Sequence, residues 1–240
     1  MKGIILAGGK GTRLSHCTKV TNKHLLPVYD KPMIYYPIDT FVTAGIKDIL
    51  IITGAESAGD FLNLLGDGSD FGADFTYKIQ KLSGGIADAL RLGRNFIGST
   101  REAIAVILGD NIFAEDFSDE IKKYDEKHSM AKIFIKEVND PHRFGIASIE
   151  NDRITRIVEK PMNPDTRFAV TGLYLYNGAI WHIIDNLVPS NRGELEITDV
   201  NNWYIEKGIM SYEVVKGFWS DAGTPDSLHF ASSFIKSIKK

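Results

Sequence analysis

An α/β fold built on buried parallel strands is what the sequence predicts, from three features. Apolar runs at residues 3–7, 48–53 and 103–108 are too short for helices, and their cores of Ile, Leu and Val suit strands covered on both faces. Segments of helical character separate them, the alternation that parallel crossovers require. The first run passes straight into Gly8-Gly9-Lys10-Gly11-Thr12-Arg13, a glycine loop carrying two cations.

The loop comes first in the chain and sets the chemistry. Gly8, Gly9 and Gly11 free the backbone from side-chain sterics, so amide N–H groups can turn towards an anion. Lys10 and Arg13 add cations, and a guanidinium grips phosphate oxygens in pairs. The dinucleotide fingerprint needs a third glycine where Leu14 stands, and the ATPase loop needs Lys-Ser/Thr after its last glycine, which is missing. A phosphate cradle of another kind is expected.

Downstream, Lys23 precedes an apolar turn ended by Pro27 and is a second phosphate contact or a surface lysine. A helix is expected from about Pro32 to Gly45, then a strand at 48–53 that closes a βαβ unit. Residues 75–80 alternate as a strand ending in Gln80, before Ser83-Gly84-Gly85 and a helix through Ala87 and Leu92. An amide at a strand's carboxyl end can read a base edge or be an ordinary loop residue. The strand at 103–108 leads to Gly109-Asp110, where the aspartate is a turn former or a hard-cation ligand.

An acidic helix is expected over 115–128 and a strand over 131–138. Residues 144–150 and 153–159 alternate around Asn151-Asp152, a hairpin signal, and end in Glu159-Lys160-Pro161. A strand over 170–176, a helix holding Trp181 and Leu187, a helix opening at 193–199 and a strand at 211–215 follow. Asp221 is a second isolated aspartate in a turn, and Thr224 with Pro225 opens the last helix.

Composition narrows the function. With 240 residues, 43% hydrophobic and 25% charged, the chain suits a single domain over 1–240. A net charge of −3 argues against a nucleic-acid partner. Cys17 is the single cysteine, which excludes a disulfide framework and a thiolate zinc site. No apolar run approaches membrane-spanning length and the N-terminus reads as a core strand, so no membrane association and a cytoplasmic setting are expected.

The pieces together resemble the sugar-nucleotide pyrophosphorylases, and among them the thymidylyl-transferring members. The likeness rests on residues 6–14, 23–37, 108–113, 159–161, 169–174 and 192–199, in the family's order along nearly the whole chain. It implies a Rossmann-like three-layer α/β/α nucleotidyltransferase fold, with a mostly parallel central sheet and a small β-rich sugar-binding insertion. Residues 1–138 would serve mainly the nucleotide and 139–240 the sugar phosphate. It also implies dTTP, or UTP, and glucose-1-phosphate as substrates, Mg²⁺ as cofactor and a homo-oligomer.

Residue by residue, the resemblance assigns Leu6, Ala7, Gly8, Gly9, Gly11, Thr12 and Arg13 to the nucleotide, with Lys23, Gln80, Gly85 and Asp110. Asn111, Gly145, Glu159, Lys160 and Val170 would take the sugar phosphate. Asp110 and Asp221 would hold the metal, and Arg13, Lys23, Asp110, Lys160 and Asp221 form the expected catalytic set. The chain departs from the pattern at His16-Cys17, at Phe144 in place of a common tyrosine, at Asp88 in place of glutamine, and at Ser220 and Ala222 beside Asp221. The chain also stops where many members continue into a C-terminal extension that carries a regulatory nucleotide site.

Overall fold

The computed structural model describes residues 1–82, 84–98, 102–127 and 130–239. Ser83, and His128 at the expected end of the acidic helix, lie outside the described residues. The strands are β1 (Lys2–Ala7), β2 (Pro27–Val28), β3 (Lys31–Pro32), β4 (Asp48–Gly54), β5 (Asp74–Gln80), β6 (Ile104–Leu108), β7 (Ile112–Phe113), β8 (Ala131–Glu137), β9 (Gly145–Glu150), β10 (Arg153–Glu159), β11 (Phe168–Tyr176), β12 (Met210–Val214) and β13 (Trp219–Ser220). The helices are α1 (Tyr35–Thr43), α2 (Ala58–Leu65), α3 (Ile86–Arg91), α4 (Arg94–Ile97), α5 (Ser118–Lys127), α6 (Ile180–Asp185), α7 (Ile197–Glu206) and α8 (Pro225–Ile238).

The sheet runs parallel through β6, β1, β4 and β5. Its strands are apolar at every central position because both faces are covered. Ile4, Leu6, Leu50 and Ile52 enter one core with α3, α6 and α7, while Ile5, Ala7, Ile49 and Ile51 enter the other with α1, α2 and α5. Each buried Ile or Leu contributes roughly 1.5–3 kcal/mol, which makes this pair of cores the main source of stability. The result is the three-layer, Rossmann-like arrangement of helices around a central sheet.

β11 then reverses the sheet. It pairs antiparallel with β6 through Leu173–Tyr176, with β8 on its other edge, and with β9 at Ala169. Being antiparallel, it brings its N-terminal end to the carboxyl edge of β1 and β6. The β9–β10 hairpin is delivered to the same edge. Asn151 and Asp152 both have positive φ, 49° and 61°, the turn that matches the twist of a two-residue hairpin.

Two helix starts differ from expectation. α1 begins at Tyr35, and Pro32 sits instead in the two-residue strand β3. Pro37 occupies the first turn of α1, where a missing N–H costs nothing. α7 begins at Ile197 and not near Gly193, because the Leu195 backbone is engaged elsewhere. Its N–H donates to the Gly84 carbonyl at 2.8 Å and its carbonyl accepts from Ala87 N–H at 3.2 Å. At the last helix the side chains of Thr224 and Ser227 form a capping box, with Pro225 at the first position.

Candidate active site

Two cavities open at the carboxyl edge of the parallel strands and share Arg13, Ile86, Leu108 and Asp110 in their walls. The first, about 350 Å³, is lined by Leu6, Gly8, Gly9, Lys23, Gln80 and Gly85 among others. The second, about 160 Å³, adds Asn111, Gly145, Glu159, Lys160, Val170 and Asp221. Larger cavities lie behind α6, α7 and β12, away from the sheet edge and from every candidate site residue.

In the first half the absence of side chains on the loop is used directly. A Cβ on Gly11, whose φ is +64°, would stand 3.0 Å from Lys23 Cβ, and one on Gly8 would stand 2.6 Å from Gln80 Oε1. The bare loop therefore lets the lysine stem and the glutamine amide come up against the backbone. Gly85 is similarly constrained, with φ +97° and a Leu195 carbonyl oxygen 2.5 Å from where its Cβ would be.

Lys23 Nζ reaches Asp110 Oδ2 at 2.5 Å, with both side chains largely shielded from solvent. Burial pushes the Asp110 carboxyl up, but the Lys23 charge and hydrogen bonds from Lys23 and Asn111 outweigh it, so the group ionises below the usual carboxylate range. His24 is buried beneath this pair. Gly109 makes room for its ring, since a Cβ there would sit 2.8 Å from His24 Cδ2. Its Nδ1–H donates to Asn22 Oδ1 at 2.6 Å.

Burial and then the adjacent Lys23 lower His24 to about 3. The ring is thus a neutral wedge and adds no charge to the site. Its unfolded form protonates near the ordinary value of 6.5, so the unfolded state binds more protons between pH 6.5 and 3 and stability falls as pH drops. At pH 5 the loss is about 2 kcal/mol. Urea unfolding at pH 7.5 and 5 should show it, and the His24→Gln variant should lose most of that difference.

In the second half Glu159 is the hub. Its Oε2 accepts from Thr198 Oγ1 at 2.7 Å, and its Oε1 faces Lys160 Nζ at 3.2 Å and Arg192 Nη2 at 3.5 Å. Lys160 holds a left-handed backbone, φ 44°, fixed by its N–H donating to the Phe144 carbonyl at 2.9 Å. A lysine in that region costs roughly 1–3 kcal/mol and aims its side chain away from the strand direction. Gly145 has φ in the ordinary range, and a Cβ there would crowd Glu159 and Thr198 at 3.3 Å.

Asn111 is more constrained than its expected role of sugar contact suggests. Its Oδ1 accepts from Gly172 N–H at 2.8 Å and Trp219 Nε1 at 2.6 Å, and its Nδ2 donates to Asp110 Oδ1 at 3.0 Å. One amide hydrogen is left for a ligand. The residue also ties β11, β13 and the Asp110 turn into one frame.

Asp221 is held by Arg143, whose Nη2 lies 2.5 Å from Oδ2. Arg143 also lies over the Phe144 ring, and its Nε is buried with no hydrogen-bond partner. Arg13 reaches towards the same turn: a Cβ on Gly223 would meet its Nη2 at 3.1 Å. Ala222, next in sequence to Asp221, has φ 34°, a second strained non-glycine position beside the cavity.

Among the described residues no group of three or more His, Cys, Asp and Glu surrounds a point where a metal could sit. The donor set nonetheless fits a hard cation that keeps waters and takes phosphate oxygens. Asp110 and Asp221 are ionised-carboxylate donors on the wall of one cavity, and each carries a cation as its present partner.

The structure thus brings Arg13, Lys23, Gln80, Gly85, Asp110, Glu159, Lys160 and Asp221 to one continuous cavity. Ala7 is fully buried behind it, and Gly11 and Thr12 lie outside the described lining. Sequence reasoning passed over Arg143, Trp219 and Thr198. Arg143, two residues before Gly145, offered a signal as a cation beside a flagged glycine; the other two offered none, since their partners are remote in sequence.

The model of the nucleotidyl transferase family matches residues 2–238. A glucose-1-phosphate thymidylyltransferase of Neisseria meningitidis is 46% identical over 243 residues, covering 100% of this chain and 84% of the relative. A crystal structure from Bacillus anthracis, provisionally described as a glucose-1-phosphate thymidylyltransferase, superposes with a TM-score of 0.93 at 49% identity, covering 98% of this chain and 94% of that one. A UDP-glucose pyrophosphorylase complexed with UDP-glucose superposes with a TM-score of 0.85 at 26% identity, over 99% of this chain and 98% of that one. With a family model spanning the whole described fold and relatives this similar over their full overlap, the chain belongs to the nucleotidyl transferase family.

Proposed function

We propose that the chain transfers a thymidylyl group from dTTP to glucose-1-phosphate, giving dTDP-glucose and pyrophosphate. The observation that carries this reading is the shared wall of the two cavities: Arg13 and Asp110 border both the glycine-loop half and the Lys160 half. A triphosphate in the first half and a sugar phosphate in the second would meet there. The relatives named for this reaction supply the substrate identities.

A phosphate oxygen of glucose-1-phosphate attacks the α-phosphorus, forming a new P–O bond as the α–β bridge breaks and pyrophosphate leaves with that electron pair. The attacking oxygen is already ionised near neutral pH, so no general base is needed. Catalysis then rests on position and charge. The glycine-loop backbone and Lys23 hold the triphosphate, Gln80 and Gly85 face the base, and Arg13 neutralises charge at the α-phosphoryl group. Lys160, set by its left-handed backbone and by Glu159, holds the incoming sugar phosphate in line, with Gly145 and Val170 against the sugar.

Asp110 and Asp221 would hold magnesium. When bound, it supplies charge neutralisation to the triphosphate and the departing pyrophosphate. Lys23 and Arg143, the present partners of those carboxylates, are then released towards phosphate oxygens.

Pyrophosphate release measured with dTTP, UTP, CTP, ATP and GTP, each with and without glucose-1-phosphate, tests this reading. Release should depend on the sugar phosphate and be fastest with dTTP. Equal rates with dTTP and UTP would remove the thymidylyl preference, and no release with any pair would remove the reaction.

A further inference from the structure

Gln80 is 9% exposed and lies on the wall of the glycine-loop cavity. Its amide has two unlike ends. Nε2 donates to Asp88 Oδ2 at 3.2 Å, and Oε1 lies on the Gly8 side, 2.6 Å from where a Cβ on that glycine would be. Asp88 stands in the first turn of α3 and is itself tethered, its Oδ1 accepting from Arg91 Nη2 at 2.7 Å. Gly84 packs against the same carboxylate, since a Cβ there would come 2.7 Å from Oδ2.

We infer that Asp88 is the positioning residue that sets the base preference of the nucleotide site, by fixing which end of the Gln80 amide is presented there. An ionised carboxylate only accepts hydrogen bonds, so the end of the amide that faces it must be the NH₂ group. Turning the amide over would set oxygen against oxygen inside a site closed to water, where an unmade polar contact is costly. Gln80 is thereby held with an obligate acceptor towards the Gly8 side of the cavity.

Resting on the proposed nucleotide role of this cavity, that acceptor selects the base by its N3 atom. Thymine and uracil carry hydrogen at N3 and donate to Oε1. Cytosine in the same ring register brings a lone pair to the same oxygen. A site built around one such hydrogen bond rejects the analogue that lacks the donor, because the buried acceptor is left unpaired.

The Asp88→Asn substitution turns this into a sharp test. Arg91 can only donate, so it takes the single amide oxygen of the replacement, and the new NH₂ group faces Gln80. The Gln80 amide then turns over and presents Nε2 to the base. Equilibrium dissociation constants for dTTP and CTP should be measured by calorimetry in magnesium buffer on the full chain, alongside pyrophosphate release. The preference for dTTP over CTP should fall by at least ~10-fold in Asp88→Asn, with CTP binding tightened as dTTP weakens.

Asp88→Ala, which leaves the amide free to take either orientation, should fall between the wild type and Asp88→Asn. A general loss of packing would weaken both nucleotides together and leave their ratio alone. A ratio within about twofold of wild type in both variants overturns the role of Asp88. A wild-type chain that prefers dTTP in binding but releases no pyrophosphate removes the transfer reaction, and leaves the base preference and its dependence on Asp88 measurable.

Discussion

Asp110→Asn lowers turnover roughly 1000-fold in a chain that remains folded, the scale of losing a preorganised charge stabiliser. Asparagine has the same size and keeps an acceptor for Lys23 and for the Asn111 amide, so the turn after β6 survives. What disappears is the negative charge. Lys23 Nζ, now 2.5 Å from a carboxylate oxygen, is left facing a neutral amide in a shielded place. That costs about 1–3 kcal/mol of stability, which thermal unfolding followed by circular dichroism would read. Turnover near the wild-type rate at saturating magnesium would show that Asp110 is not a metal ligand.

Arg13→Ala is expected to reduce kcat at least ~100-fold with a smaller change in KM for dTTP. The asymmetry follows from its place. Arg13 borders both halves of the cavity and extends towards the Asp221–Gly223 turn, so it meets the α-phosphoryl group where charge builds up during transfer. Lys23 and the loop N–H groups still hold the ground-state triphosphate. A variant with raised KM and unchanged kcat would make Arg13 a docking residue instead.

Much of the fold was legible because the physics is local. Ile4 to Ala7 and Ile49 to Ile52 are apolar without interruption, and only a strand covered on both faces needs that. The Asn151-Asp152 turn and the Thr224-Pro225 start carry their own signals in two or four residues. The start of α7 was not legible, because Leu195 is held out of the helix by the backbone of Gly84 and Ala87, about a hundred positions earlier.

The same division runs through the site. Gly8 to Arg13 and Asp110 follow buried strands directly, so their place at the carboxyl edge could be read from position alone. The ion pair of Arg143 with Asp221 joins residues 78 positions apart. The bond from Trp219 to Asn111 spans 108, and neither pairing leaves a trace in spacing. Asp88 is only eight positions from Gln80, yet its contact depends on how the intervening loop returns α3 to the end of β5.

At the centre of the account is a direct transfer between two substrates held side by side across the Arg13–Asp110 junction. The most direct test is the stereochemistry at the α-phosphorus, with dTTP carrying a chiral α-thiophosphate and glucose-1-phosphate as acceptor. A single in-line displacement inverts that centre, and inversion is the result predicted. Retention would mean two displacements through a nucleotidyl group borne by the protein, and would contradict the account.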